Sequence, residues 1–128
     1  MPQTPPVIAI VDDNASLRRA LARLLRVVGY ETVTFASAEA FLQDGLQMSP
    51  DCLVLDVWLP GISGVALLKY LVSLGSSLPV ILITGREDIQ IHLLAGQMGV
   101  VAYLHKPLDE RDLLQALQRA MRRQESEC

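Results

Sequence analysis

The chain predicts a three-layer α/β sandwich: five β-α units in succession, with a parallel five-stranded sheet between two layers of helices. Three apolar runs carry the prediction, each ending in residues with chemistry. Val7-Ile8-Ala9-Ile10-Val11 runs into Asp12-Asp13, Cys52-Leu53-Val54-Leu55 into Asp56, and Leu78-Pro79-Val80-Ile81-Leu82-Ile83 into Thr84-Gly85. Short, nearly continuous apolar runs bounded by turn residues read as strands buried on both faces. Open parallel sheets gather their chemistry at the C-terminal edge of the strands. Three carboxylates and a hydroxyl are therefore expected at one edge.

The elements follow in order. After the first strand, Asn14 or Ala15 opens a helix in which Leu17, Leu21, Leu24, Leu25 and Val28 recur at helical spacing, with arginines at 18, 19, 23 and 26 between them. Gly29 ends it. Glu31-Thr-Val-Thr-Phe35 alternates as a strand does. Ser37 then caps a short helix carrying Ala38, Phe41 and Leu42, without an acid at the capping-box position. The third strand ends at Asp56, and Gly64 to Leu74 forms a helix whose Val65, Leu67, Leu68 and Leu71 face the sheet. Gly75-Ser-Ser is a loop, the fourth strand ends at Thr84, and residues 87–98 form the fourth helix. Val100 to Leu104 is the fifth strand, His105-Lys106-Pro107 a turn, and Glu110 to Arg123 the last helix. The short links leave only right-handed crossovers between parallel strands.

Composition bounds what such a chain does. Its 128 residues suit one domain, 1–128 with a core over 7–122, and 51% apolar residues are enough for a substantial interior. Eleven basic against 14 acidic residues give a net charge of −3, which offers no basic footprint for nucleic acid. Cys52, in a buried strand, and Cys128, at the terminus, have no metal-binding spacing and are not placed for a disulfide. That usage fits a reducing cytoplasm. No signal-peptide pattern opens the chain, and no apolar run reaches the roughly 20 residues that span a bilayer. A cytoplasmic protein without membrane contact is the expectation.

Carboxylates at 12 and 13 that face a third at 56 repel one another unless a cation sits among them. Mg²⁺ suits the place, because it takes few carboxylates from a protein and completes its shell with water and phosphate oxygens. A carboxylate also attacks phosphoryl groups, giving an acyl phosphate. Lys106 after strand five and Thr84 after strand four stand where the transferred oxygens need a cation and a hydroxyl.

With these parts in order, the chain resembles a response-regulator receiver domain, the CheY-like fold of two-component systems, from Val7 to about Arg122. The match rests on the Asp12-Asp13 pair, Asp56 with Pro60 and Gly64 after it, Thr84-Gly85, the aromatic Tyr103, and Lys106-Pro107. The resemblance implies a doubly wound, flavodoxin-like strand order 2-1-3-4-5 and phosphorylation of Asp56 by a sensor histidine kinase. It implies Mg²⁺ held by Asp13, Asp56 and the Trp58 main-chain carbonyl, with Asp12 acting through water. Lys106 would pair with the phosphoryl oxygens, Thr84 would bond to them, and Tyr103 would follow by rotating inward. The Lys106-Pro107 bond is expected to be cis. The surface of helix four, strand five and helix five would change in response. Gly29-Tyr30, Phe35-Ala-Ser-Ala-Glu39 and Phe41-Leu42 resemble FixJ-type receivers, which usually precede a helix-turn-helix domain. DNA would then be reached only through an output domain absent from this chain. The alternative is a stand-alone receiver acting by protein contact.

Blander explanations stand beside these. Asp12 and Asp13 could simply cap the first helix. Tyr103 could be half-buried core, Cys52 is core packing, and His92 and His105 read as surface residues without a role. Ile89, Ile91, Leu93, Leu94 and Met98 make the fourth helix more apolar than one buried stripe needs, so it offers a surface for a partner or a phosphorylation-dependent homodimer. Three features depart from the common pattern. Leu108 replaces the more usual Phe, a small volume change. Arg86 borders the site, and Trp58 follows the acceptor by two residues, where its ring could hinder the water that hydrolyses the acyl phosphate. A phosphatase or phosphotransferase working through an aspartyl intermediate would want an acid where Trp58 stands. A phosphorylation-independent binding module would be expected to lack an acid or the lysine, and a nucleotide-binding protein would need a Gly-rich loop after strand one.

Overall fold

Alternate residues of the central strands face opposite ways, and because both sets are apolar the sheet needs a cover on each side. The structure, a computed structural model that describes residues 4–126, supplies it. The strands are β1 (Val7–Val11), β2 (Glu31–Phe35), β3 (Cys52–Asp56), β4 (Val80–Thr84) and β5 (Ala102–His105). All pair in parallel in the order β2-β1-β3-β4-β5, as the doubly wound expectation requires.

Ile8, Ile10, Cys52, Val54, Ile81 and Ile83 pack on one side with Leu21 and Leu25 of α1 (Ala15–Val27) and Leu113 and Leu117 of α5 (Glu110–Ser126). On the other side Ala9, Val11, Leu53, Leu55 and Leu82 meet Phe41, Leu67 and Leu71 of α3 (Gly64–Ser73), and Ala95 of α4 (Ile89–Gln97). Phe41 belongs to the segment that follows α2 (Ala38–Ala40). Among the described residues no helix is long and apolar enough to cross a membrane. Cys128 lies outside the described residues.

The helix starts follow the sequence. Asn14, Ser37, Ser63 and Asp88 each accept a first-turn N–H through the side chain, which satisfies donors the helix itself cannot. Gly29 ends α1 at φ +104°, a conformation that favours glycine.

Three boundaries differ from expectation. The second helix continues after Ala40 as a widened turn, Phe41–Gly45, and a tight one, Leu46–Met48. Gly45 lies so close to the Phe41 ring that a Cβ there would overlap it. The strand expected over 100–104 is β5 at Ala102–His105, because the Val100 N–H is spent on the Ala95 carbonyl at the end of α4. The fourth helix begins at Ile89 rather than 87, since Asp88 is its cap.

Candidate functional site

Parallel register brings the ends of β1, β3, β4 and β5 to one edge, where Asp12, Asp56 and Thr84 are buried at 0%, 3% and 0% exposure. Asp13 is exposed at the rim. Gly64 presses the start of α3 against the end of β3: its N–H bonds the Val57 carbonyl at 3.0 Å, and a Cβ there would run into the Asp56 carbonyl. The loop between them is tied from outside by Glu39, which accepts the Ile62 N–H at 3.1 Å. The Lys106-Pro107 bond, after β5, is cis.

Oxygens of Asp12, Asp13 and Asp56 lie within 4.8 Å of one another. Lys106 Nζ stands 2.8 Å from Asp12 Oδ2 and 3.3 Å from Asp56 Oδ2. Only the contact to Asp56 has the alignment of a hydrogen bond. Asp12 Oδ2 is buried without a hydrogen-bond donor among the described residues, although the ammonium is near. Its partner oxygen accepts the Asn14 N–H at 2.8 Å. Asp56 Oδ1 accepts the Trp58 N–H at 3.2 Å. Burial, and then the Asp12 charge, raise the Asp56 carboxyl above the ordinary range, with Lys106 and the Trp58 N–H opposing. Burial by itself would lower the Lys106 ammonium, yet the close Asp12 and Asp56 carboxylates leave it raised overall. A buried, underdonated carboxylate pair beside an exposed third acid is a donor set that fits a small divalent cation such as Mg²⁺.

Thr84 ends β4, and Tyr103 lies in β5 beside it. The Thr84 hydroxyl donates to the Arg86 carbonyl at 2.6 Å and accepts from the Arg86 N–H at 3.1 Å and Trp58 Nε1 at 2.9 Å. These bonds tie it to the loop after β4 and to Trp58. The Tyr103 hydroxyl is buried and lies toward Thr84, without a well-aligned hydrogen bond among the described residues. Burial raises this phenol, and the Thr84 hydroxyl opposes the rise.

The Arg86 guanidinium lies 4.0 Å over the Trp58 ring, and Trp58 bonds both Asp56 and Thr84, so these two departures border the site. His92 and His105 are exposed, as expected, and both pack on Tyr103. His92 stacks on Tyr103 at 4.7 Å with the rings parallel within 1°, and His105 meets the Tyr103 edge at 5.5 Å while its Nε2 approaches Glu87 Oε1 at 3.5 Å. The His105 contact was open to inspection, since residues two apart on a strand share a face. His92 and Glu39 reach their partners across elements, which no local pattern announces.

A buried carboxylate with a lysine on one oxygen, beside two more acids, at the strand-end edge of a 2-1-3-4-5 sheet has counterparts. The response regulator receiver domain family matches residues 8–118. Nodulation protein W of Bradyrhizobium diazoefficiens is 41% identical over 120 residues, 94% of this chain and 53% of that protein. Full-length FixJ from B. japonicum superposes with a TM-score of 0.86 at 33% identity, covering 96% of this chain and 61% of that one. A CheY-like receiver from Methanospirillum hungatei superposes at 0.89 with 27% identity, covering 97% and 99%. The chain spans about half the length of the curated relatives it matches. Receiver domains work with sensor histidine kinases and typically bind Mg²⁺ at such an acidic cluster. By sequence and by structure, the chain belongs to the response regulator receiver domain family.

Proposed function

We propose that this chain is the phosphoacceptor domain of a two-component response regulator, with Asp56 the residue phosphorylated, in a Mg²⁺-dependent reaction, by a histidine kinase. The observation that carries the reading is the Asp56 carboxylate with Lys106 Nζ at 3.3 Å and the Asp12 and Asp13 oxygens in one cluster. Asp13, Asp56 and the Trp58 carbonyl would hold the metal, with Asp12 reaching it through water. When bound, Mg²⁺ neutralises the carboxylates and the phosphoryl oxygens.

An Asp56 oxygen attacks phosphorus, the phosphorus–nitrogen bond of the kinase phosphohistidine breaks, and the leaving imidazole nitrogen takes up a proton. Lys106 keeps its charge through the transfer and steadies the phosphoryl oxygens. Thr84 then turns from Arg86 toward the phosphoryl group, and the change passes through Tyr103 to the surface of α4, β5 and α5. Similarity to FixJ supports an output that controls transcription through a DNA-binding domain outside residues 1–128. Ile89 and Leu93, 73% and 64% exposed on α4, support a phosphorylation-dependent homodimer through that surface.

The decisive experiment is intact-mass measurement after incubation with Mg²⁺ and acetyl phosphate. Gain of one phosphoryl mass by the parent and none by Asp56→Asn is the expected result. No gain by the parent would favour a phosphorylation-independent binding module. Self-dephosphorylation is expected to be slow, because the Trp58 ring and the Arg86 guanidinium stack beside the acceptor. Trp58→Ala should shorten the acyl-phosphate lifetime, and an unchanged lifetime sinks that idea.

A further inference from the structure

A threonine hydroxyl has one proton to give and two lone pairs to fill, and those of Thr84 are all taken. The proton goes to the Arg86 carbonyl at 2.6 Å, and the oxygen accepts from the Arg86 N–H at 3.1 Å and the Trp58 indole at 2.9 Å. One neighbour is left out. The Tyr103 hydroxyl is buried, lies toward Thr84, and has no partner among the described residues. Buried phenols normally find an acceptor. Here the nearby oxygen is already filled by an indole N–H. Trp58 is itself pinned, with the Arg86 guanidinium 4.0 Å over its ring and its main-chain N–H on Asp56 Oδ1 at 3.2 Å.

We propose that Trp58 is a latch on the Thr84 hydroxyl: its indole N–H takes the oxygen that Tyr103 would otherwise bond, and holds that hydroxyl away from Asp56 in the unphosphorylated protein. The inference rests on the receiver reading of Asp56. It concerns the indole N–H, whereas hindrance of water at the acyl phosphate concerns the bulk of the ring. To reach a phosphoryl oxygen, Thr84 must withdraw its proton from the Arg86 carbonyl and turn toward β3, which breaks the Trp58 bond. The oxygen then accepts the Tyr103 O–H. The indole N–H, already 3.4 Å from the Arg86 carbonyl, takes over the acceptor that Thr84 leaves. Trp58 is thus a positioning residue that acts through Thr84, and it sets how readily the switch leaves its resting position.

The chain has a single tryptophan, so its indole N–H gives one resonance in a proton–nitrogen correlation spectrum. Without metal or phosphoryl donor, Thr84→Val should move that resonance, because the indole N–H loses its 2.9 Å acceptor and falls back on the more distant Arg86 carbonyl. Trp58→Phe keeps an aromatic ring under Arg86 but has no N–H, and it should accept a phosphoryl group from acetyl phosphate and Mg²⁺ roughly two- to tenfold faster than the parent, the scale of one net hydrogen bond. An indole resonance unmoved by Thr84→Val overturns the latch, as does a Trp58→Phe protein phosphorylated no faster than the parent. A parent that takes up no phosphoryl group overturns the receiver reading instead, and the indole resonance still decides whether the hydrogen bond exists.

Discussion

Charge at Asp56 is held in place against its own preference. Burial and the Asp12 charge raise its carboxyl, so the folded protein binds a proton there more readily than the unfolded chain does. Such a group stabilises the fold below its unfolded pKa, and the contribution is lost as pH rises through the folded value. Lys106 is also raised, so its contribution persists until the far alkaline range. Metal-free Asp56→Asn should therefore be more stable than the parent at neutral pH, by on the order of 1 kcal/mol. Denaturant titrations between pH 4 and pH 7 should show the two proteins diverging as pH rises, and parallel curves would count against the strained carboxylate. Tyr103 offers a second test, since removing its partnerless buried hydroxyl in Tyr103→Phe should raise stability by about 1 kcal/mol. Loss of stability would mean that the hydroxyl has an acceptor after all. Neither strain was legible beforehand. The sequence placed Asp12, Asp13, Asp56, Thr84 and Lys106 at one edge, because each closes a strand, but which hydrogen bond each side chain makes is decided by neighbours from other elements.

The β3–α3 connection shows what an element has to do here: deliver Asp56 and the Trp58 carbonyl to fixed places. Gly64 does this by close approach, with no room for a Cβ between α3 and the Asp56 carbonyl. Backbone on both sides cannot yield as a flexible side chain would, so Gly64→Ala should cost about 1–3 kcal/mol, measured by denaturation, and should weaken Mg²⁺ binding as well. A full-stability Gly64→Ala would show that the approach is looser than it looks. Strands β1, β3 and β4 were legible because burial on both faces leaves almost no polar residue within them. The continuation of α2 was not, because its widened turn follows from Phe41 packing on Gly45 rather than from helical periodicity. The start of β5 was misplaced for a similar reason: Val100 looks like strand but its N–H closes α4.

At the scale of the molecule, the site edge and the α4 surface are joined through a short chain of contacts. Thr84 ends β4, Tyr103 lies toward it from β5, and His92 of α4 stacks on Tyr103 at 4.7 Å. A change at the Thr84 end of the site therefore has a packed route to the helix that carries Ile89 and Leu93. A symmetric dimer through that face presents the same patch from both copies, so any substitution enters twice. Losing a leucine from the interface of each copy forfeits up to roughly 1.5–3 kcal/mol per side, before the repulsion of the two new carboxylates is added. Leu93→Glu should therefore accept a phosphoryl group at Asp56 as the parent does, yet sediment as a monomer at concentrations where the phosphorylated parent is a dimer. A phosphorylated Leu93→Glu dimer as tight as the parent's would place the interface elsewhere. A parent that stays monomeric when phosphorylated would leave the face for a different partner, and the exposed apolar residues of α4 would then have to be explained by the output domain or the kinase.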